Sequence, residues 1–122
     1  MKKIVIIIAI SLLLVSIGNQ ALAQSDEKLV VLETNLGIIT IEFFPNDAPN
    51  HVENFISLTE SGFYEGTLFH RIIPGFMIQG GDPNTINGDL STWGQGGPEK
   101  NLNSEFNTIK HERGIVSMAR AN

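Results

Sequence analysis

The sequence predicts a mainly β domain behind an apolar leader, and three observations carry that reading. Short runs rich in Val, Ile and Phe are separated by Gly, Asn and Pro turn signals. One segment alone has the 3.6-residue periodicity of an amphipathic helix. Residues 1–23 differ in character from everything after them.

That first segment opens with Lys2 and Lys3, runs apolar from Ile4 to Ile17, and closes on Ala21-Leu22-Ala23. A basic start, a short apolar run and an A-x-A end describe a secretory signal, with cleavage expected after Ala23. The competing reading is a retained membrane anchor, but the run is shorter than the roughly 20 residues that span a bilayer. The mature domain is then residues 24–122, 99 residues with six basic and thirteen acidic side chains, a net charge of −7. Export to an extracytoplasmic compartment follows. The domain carries no Cys, which excludes disulfides, thiolate zinc sites and a cysteine nucleophile. The acidic balance argues against a nucleic-acid partner, which needs a basic face.

Residues 29–34 (LVVLET) and 38–44 (IITIEFF) read as two strands joined at Asn35-Leu36-Gly37, a hairpin. Asp47 is placed to cap a helix starting near Ala48, with Pro49 in its first turn. Val52, Phe55, Ile56 and Thr59 then fall on one face, and Gly62 is a stop signal. Residues 68–73 and 77–80 read as a second strand pair. Residues 81–104 form a long Gly-, Asn- and Pro-rich loop, a length that in a compact domain is usually functional or self-packed. Residues 114–119 (GIVSMA) read as a last strand. The order is β-β-α-β-β-loop-β, too few strands to close a barrel neatly, and the domain reads as incomplete.

The most informative run is residues 69–82, FHRIIPGFMIQGGD. A two-residue loop at Pro74-Gly75 sets Arg71 against Ile78. A three-residue loop, Pro74 to Phe76, pairs Arg71 with Gln79, Ile72 with Ile78 and Ile73 with Met77. A one-residue slip exchanges the two faces of the hairpin, so only one register holds. The three-residue loop separates the Ile72/Ile78 pair from the polar Arg71/Gln79 pair, and it is the register we expect. That polar face offers a guanidinium, an amide and a thioether, with Phe76 at the rim. It has no nucleophile with its base and no close pair of carboxylates, so it suits binding or conformational catalysis rather than bond cleavage.

This fourteen-residue run resembles the signature of the cyclophilin-type peptidyl-prolyl cis-trans isomerases. The flanking segments agree: the 29–44 hairpin, Ala48-Pro49 through Asn54-Phe55, and residues 114–119. The resemblance implies a closed eight-stranded antiparallel barrel capped by helices, present here as an incomplete barrel, with a reaction that needs no metal or cofactor. It implies that Arg71 is the catalytic arginine and that Gln79 holds the substrate backbone. Phe76 and Met77 match walls of the proline pocket, and His70 matches a histidine beside the site that is neither acid nor base. Ala119 and Arg120 match the edge that receives the residue before proline. Many family members have Asn where this chain has Arg120. The family continues past this point with a Gly-Ser-Gln-Phe-Phe-like strand and a second helix, so the sequence resembles about the first two-thirds of the domain. We therefore expect residues 24–122 alone to have little or no isomerase activity.

Other features have ordinary readings. Taken alone, His70 reads as a satisfied core histidine. His51, His70 and His111 lack metal-ligand spacing, so no metal is assigned. The glycine clusters at 80–81 and 94–97 lack the Lys-Ser/Thr of a phosphate loop and read as turns. Trp93 reads as a packing anchor for the long loop. The leading expectation is a monomeric exported isomerase acting on proline-containing segments of client proteins, with no stable membrane association once the signal is cleaved. The alternatives are a non-catalytic proline-peptide-binding or chaperone module, an inactive fragment, or a membrane-anchored domain if the leader is retained.

Overall fold

A computed structural model describes residues 28–120, so the leader and its expected cleavage after Ala23 lie outside the described residues. Within them the chain forms strand β1 (Val30–Thr34), strand β2 (Gly37–Ile41), helix α1 (Pro49–Glu60), strand β3 (Arg71–Ile73), strand β4 (Met77–Gln79) and the short helix α2 (Asn84–Asn87). A single 3₁₀ turn follows at Leu90–Thr92. The strands pair as two antiparallel hairpins, β1 with β2 and β3 with β4.

Among the described residues these hairpins remain separate two-stranded sheets and form no closed barrel. The expected last strand at 114–119 is likewise absent. Ile115 N–H turns back to the Glu112 carbonyl, and Ile115, Val116 and Met118 are exposed. A β-branched run becomes a strand only when a neighbour completes its hydrogen-bond ladder, and no described strand lies beside this one. The second strand pair is also shorter than expected, because Leu68 N–H donates to Thr85 Oγ1 (2.9 Å) instead of to a strand.

In the first hairpin, the paired residues Val30 and Ile41 are the only apolar side chains buried among the described residues. Helix α1 lies against this end of the hairpin, its Ile56, Thr59 and Glu60 lining a shallow groove with Val30. The expected apolar face forms: Val52, Phe55, Ile56 and Thr59 are half-buried while Glu53, Ser57 and Glu60 are exposed. Phe55 sits between two rings, 5.9 Å from Phe43 and 5.0 Å from Tyr64 by centroid. The helix stops where expected. Gly62 takes a φ of +76°, Gly62 N–H reaches the Thr59 carbonyl and Phe63 N–H reaches that of Leu58. This pair of bonds closes a helix only when the residue after the cap adopts a left-handed conformation, which glycine does without strain.

The start of α1 differs from expectation. Asp47 does not cap it; the cap residue is Ala48, which makes no side-chain cap bond. The N–H groups of Asp47 and Ala48 both turn back to the Phe44 carbonyl. Capping comes instead from a segment more than fifty residues away. The Glu105 carboxylate accepts Asn50 N–H at 3.1 Å and His51 N–H at 2.9 Å, and also the Asn50 side-chain amide. These are the second and third helical N–H groups, the ones a local Ser or Asp cap ordinarily satisfies. Pro49, in the first position, has no N–H to satisfy. His51 closes the contact from its other side, with its ring Nε2 3.1 Å from the Asn103 carbonyl. Residues 103–105 are thereby pinned to the helix.

Burial pushes the Glu105 carboxyl up, but the N–H groups of His51 and Asn50 and the Asn50 amide outweigh this and hold it below its ordinary value. The sign of the pH dependence follows. A carboxyl with a lowered folded-state pKa adds stability above its unfolded pKa of about 4.3 and loses it as pH falls through the folded value. Thermal melts should therefore show Glu105→Gln melting below the native chain at pH 7, with the gap closing below about pH 4. A gap that does not narrow at all as the pH is lowered from 7 counts against this cap.

Candidate functional site

The site is built on the second hairpin. Its register is Arg71 to Gln79, Ile72 to Ile78 and Ile73 to Met77, the one the three-residue loop requires. Phe76 N–H closes that loop on the Ile73 carbonyl at 3.0 Å. Because strand side chains alternate, Arg71, Ile73, Met77 and Gln79 share one face and Ile72 and Ile78 the other. The cross-strand pair is in hydrogen-bond contact, with Arg71 Nη1 donating to Gln79 Oε1 at 3.4 Å.

Arg71 and Gln79 open onto a cavity of about 680 Å³, which His70 also lines. The rest of the lining comes from the long loop, which supplies Leu90, Trp93 and Gly94, and from Arg120. Of the residues expected at the site, Arg71, Gln79, His70 and Arg120 are thus brought together. Phe76 and Met77 do not line this cavity; Met77 shares the hairpin face, and Phe76 sits at the loop tip, 77% exposed. Ala119 precedes Arg120 in an exposed segment and does not line it either.

The loop that forms the second wall is self-packed around one carboxylate. Asp82 is 3% exposed. Its Oδ1 accepts Asn84 N–H at 2.8 Å and its Oδ2 accepts Gly94 N–H. Its carbonyl accepts the Thr85 hydroxyl at 2.6 Å, and that hydroxyl accepts Leu68 N–H in turn. Around this centre Asn84 Nδ2 donates to the Thr92 carbonyl, and Trp93 Nε1 donates to the Gly88 carbonyl at 3.2 Å. Gly96 packs so closely that a methyl group there would sit 2.1 Å from Asp82 Oδ1, so any larger residue would push the loop off its anchor.

Burial alone pushes the Asp82 carboxyl up. The N–H groups of Asn84, Gly94 and Gly96, together with the charge of His70, outweigh it and hold Asp82 below the ordinary carboxylate value. His70 itself departs from the satisfied core histidine expected of it: both ring nitrogens are covered and have no hydrogen-bond partner. Its ring lies against Gly94, with Nε2 about van der Waals distance from where a side chain at Gly94 would begin. His70 is therefore wedged between the hairpin and the anchored loop. Trp93 does anchor the loop, as expected, and it also lines the cavity. Leu90, Trp93 and Gly94 were not singled out as site residues, because their place depends on a loop conformation that only Asp82 explains. Among the described residues no group of three or more His, Cys, Asp or Glu is placed to hold a metal ion.

Residues 29–122 match the family described as cyclophilin type peptidyl-prolyl cis-trans isomerase/CLD. The chain belongs to that family. It is 48% identical over 91 residues to a peptidyl-prolyl cis-trans isomerase of Synechococcus elongatus, a match covering 75% of this chain and 58% of the relative. It is 50% identical over 95 residues to peptidyl-prolyl cis-trans isomerase CYP18-1 of Arabidopsis thaliana, covering 75% and 56%. To a peptidyl-prolyl cis-trans isomerase of Helicobacter pylori it is 47% identical over 92 residues, covering 74% and 52%. The chain spans between half and three-fifths of the length of these curated relatives. No solved structure matches it.

Asp82→Ala leaves the Asn84 and Gly94 N–H groups without their acceptor. Hydrogen bonds to a charged group contribute about 1.5–3 kcal/mol, so the loss should lower stability by about 2–3 kcal/mol. Amide hydrogen exchange at Gly94 and Asn84 should rise more than at the β1–β2 hairpin. Uniform exchange across the chain would mean that Asp82 does not anchor this loop.

Proposed function

We propose that the protein is an exported peptidyl-prolyl cis-trans isomerase that turns X–Pro bonds in other extracytoplasmic proteins. The observation that carries the reading is the paired Arg71 and Gln79 opening on one cavity of a cyclophilin-family chain. The names of the relatives support the reaction. The basic, apolar and A-x-A order of residues 1–23 supports export.

The chemistry fits the residues. Rotation about an X–Pro bond breaks amide resonance, against a barrier of about 18–20 kcal/mol. A catalyst has to bind the twisted state better than either planar one. Twisting localises a lone pair on the proline nitrogen, and a cationic donor facing that nitrogen then binds the twisted state selectively. A guanidinium is a permanent cation with a planar fork of donors, and the fork of Arg71 reaches both the substrate and Gln79. In this reading Gln79 holds the substrate backbone and Arg120 receives the residue before proline; Phe76, Met77 and Ala119, which match the rest of the family's proline site, do not line the described cavity. His70, wedged against Gly94, lines the site without acting on the substrate.

Magnitudes limit what Arg71 does alone. An acceleration of about 10⁵ needs about 7 kcal/mol, whereas one preorganised donor supplies about 3–4 kcal/mol. The remainder requires a dry pocket for the proline ring. Among the described residues Phe76 is 77% exposed and builds no such pocket. That exposure favours a second reading for residues 24–122 taken alone, as a proline-peptide-binding module with little turnover.

In the whole protein, Arg71→Ala should lower kcat/KM for an Ala-Pro peptide by about 10²–10³-fold, read by exchange NMR between the cis and trans forms. Residues 24–122 alone should barely exceed the uncatalysed rate. Robust turnover by those residues that disappears with Arg71→Ala would overturn the second reading, and an Arg71→Ala protein at full activity would overturn the first.

A further inference from the structure

The cavity is cationic. Arg71 and Arg120 both line it, and no carboxylate does. Neither arginine is in an ion pair with any described residue. On the loop side, Asp82 is buried and already accepts backbone N–H groups, and the exposed Asp89, next in the chain to Leu90, does not line the cavity. The two arginines differ in what occupies them. Arg71 donates to Gln79. The Arg120 guanidinium lies 5.6 Å from the centre of the Phe106 ring, a contact that steadies a cation without giving its N–H groups an oxygen acceptor. An arginine held by an aromatic face, facing an open cavity and lacking an anion, is a prepared acceptor for one. The arrangement also sits in a chain whose residues 24–122 carry a net charge of −7, so the positive cavity runs against the general charge.

We propose that Arg120 selects substrates bearing an oxyanion on the residue immediately before proline: aspartate, glutamate, or phosphorylated serine or threonine. The inference rests on the isomerase reading, which puts that residue beside Arg120. The guanidinium takes a carboxylate or a phosphate through two parallel N–H···O bonds, and phosphate gains more because it carries close to two charges at pH 7. Arg71, which lines the same cavity, adds attraction over it without leaving its own place by Gln79. A lysine at the same position of the peptide meets two like charges. Screening by salt weakens the whole preference, because the cavity is open to solvent.

The test is an NMR titration of the full chain with six-residue peptides that differ only at the central pair: Ala-Pro, Glu-Pro, phosphoserine-Pro, Lys-Pro, Ala-Ala and Glu-Ala. The side-chain signals of Arg71 and Gln79 report on occupancy of the cavity. Glu-Pro should bind about fivefold more tightly than Ala-Pro, phosphoserine-Pro more tightly still and Lys-Pro more weakly, with the differences shrinking in 0.5 M salt. In Arg120→Asn the Glu-Pro to Ala-Pro ratio should fall to within twofold, and in Arg120→Lys a reduced preference for the anion should survive. Native binding of both Glu-Pro and phosphoserine-Pro within twofold of Ala-Pro, or an anion preference unchanged in Arg120→Asn, overturns the proposal. The isomerase reading is tested separately by proline itself: equal binding of Ala-Pro and Ala-Ala overturns that reading, whereas the ratio of Glu-Ala to Ala-Ala still reports on Arg120. A gain confined to phosphoserine assigns the site to phosphorylated segments, and a matching gain with glutamate assigns it to acidic segments in general.

Discussion

A carboxylate taken out of water has to be compensated locally, and at Asp82 that requirement organises the candidate site. It is the only charged side chain buried among the described residues. Unpaired, such a group would cost several kcal/mol. The chain meets the requirement by folding residues 84–96 around it, drawing the Asn84 and Gly94 N–H groups onto its oxygens. A loop whose Ile86 and Leu90 stay exposed, and which hydrophobic burial therefore does not fix, thereby acquires one conformation. That conformation brings Leu90, Trp93 and Gly94 to the cavity that Arg71 and Gln79 also line. The hairpin provides Arg71 and Gln79, and the Asp82 loop provides the rest of the wall with Arg120.

The same logic of distant satisfaction recurs at the helix. Helix α1 begins without a local cap and takes one from Glu105. The two carboxylates do similar work at different ends of the fold: each collects backbone N–H groups that would otherwise point at nothing, and each fixes a segment with little apolar content of its own. Apolar burial contributes less. Val30 and Ile41 are buried, while Ile72 and Ile78 are 64% and 54% exposed on the unused face of the second hairpin. Polar anchoring therefore specifies the described loops more than core packing does.

This division explains what was legible in the sequence. The register of β3 and β4 was, because only the three-residue loop keeps the Ile72/Ile78 pair on the face away from the polar Arg71/Gln79 pair. The span and stop of α1 were, because Val52, Phe55, Ile56 and Thr59 mark a face and Gly62 marks an end. Arg71 and Gln79 were, since they lie in the fourteen-residue signature. What was not legible depended on partners far along the chain. Asp47 looked like the cap because it precedes the helix, and nothing local pointed to Glu105. Residues 114–119 have every property of a strand except a neighbour to pair with. The short helix and 3₁₀ turn inside the long loop exist only because of Asp82, whose burial no local pattern revealed.

Trp93 ties these threads to something practical. It is the chain's single tryptophan, its indole N–H is bonded within the loop, and it lines the cavity. All indole emission from residues 1–122 therefore arises at the wall of the cavity that Arg71 also lines. These residues carry their own optical reporter there: occupancy of the cavity and release of the loop each alter the polarity around one fluorophore, with no label to perturb the site.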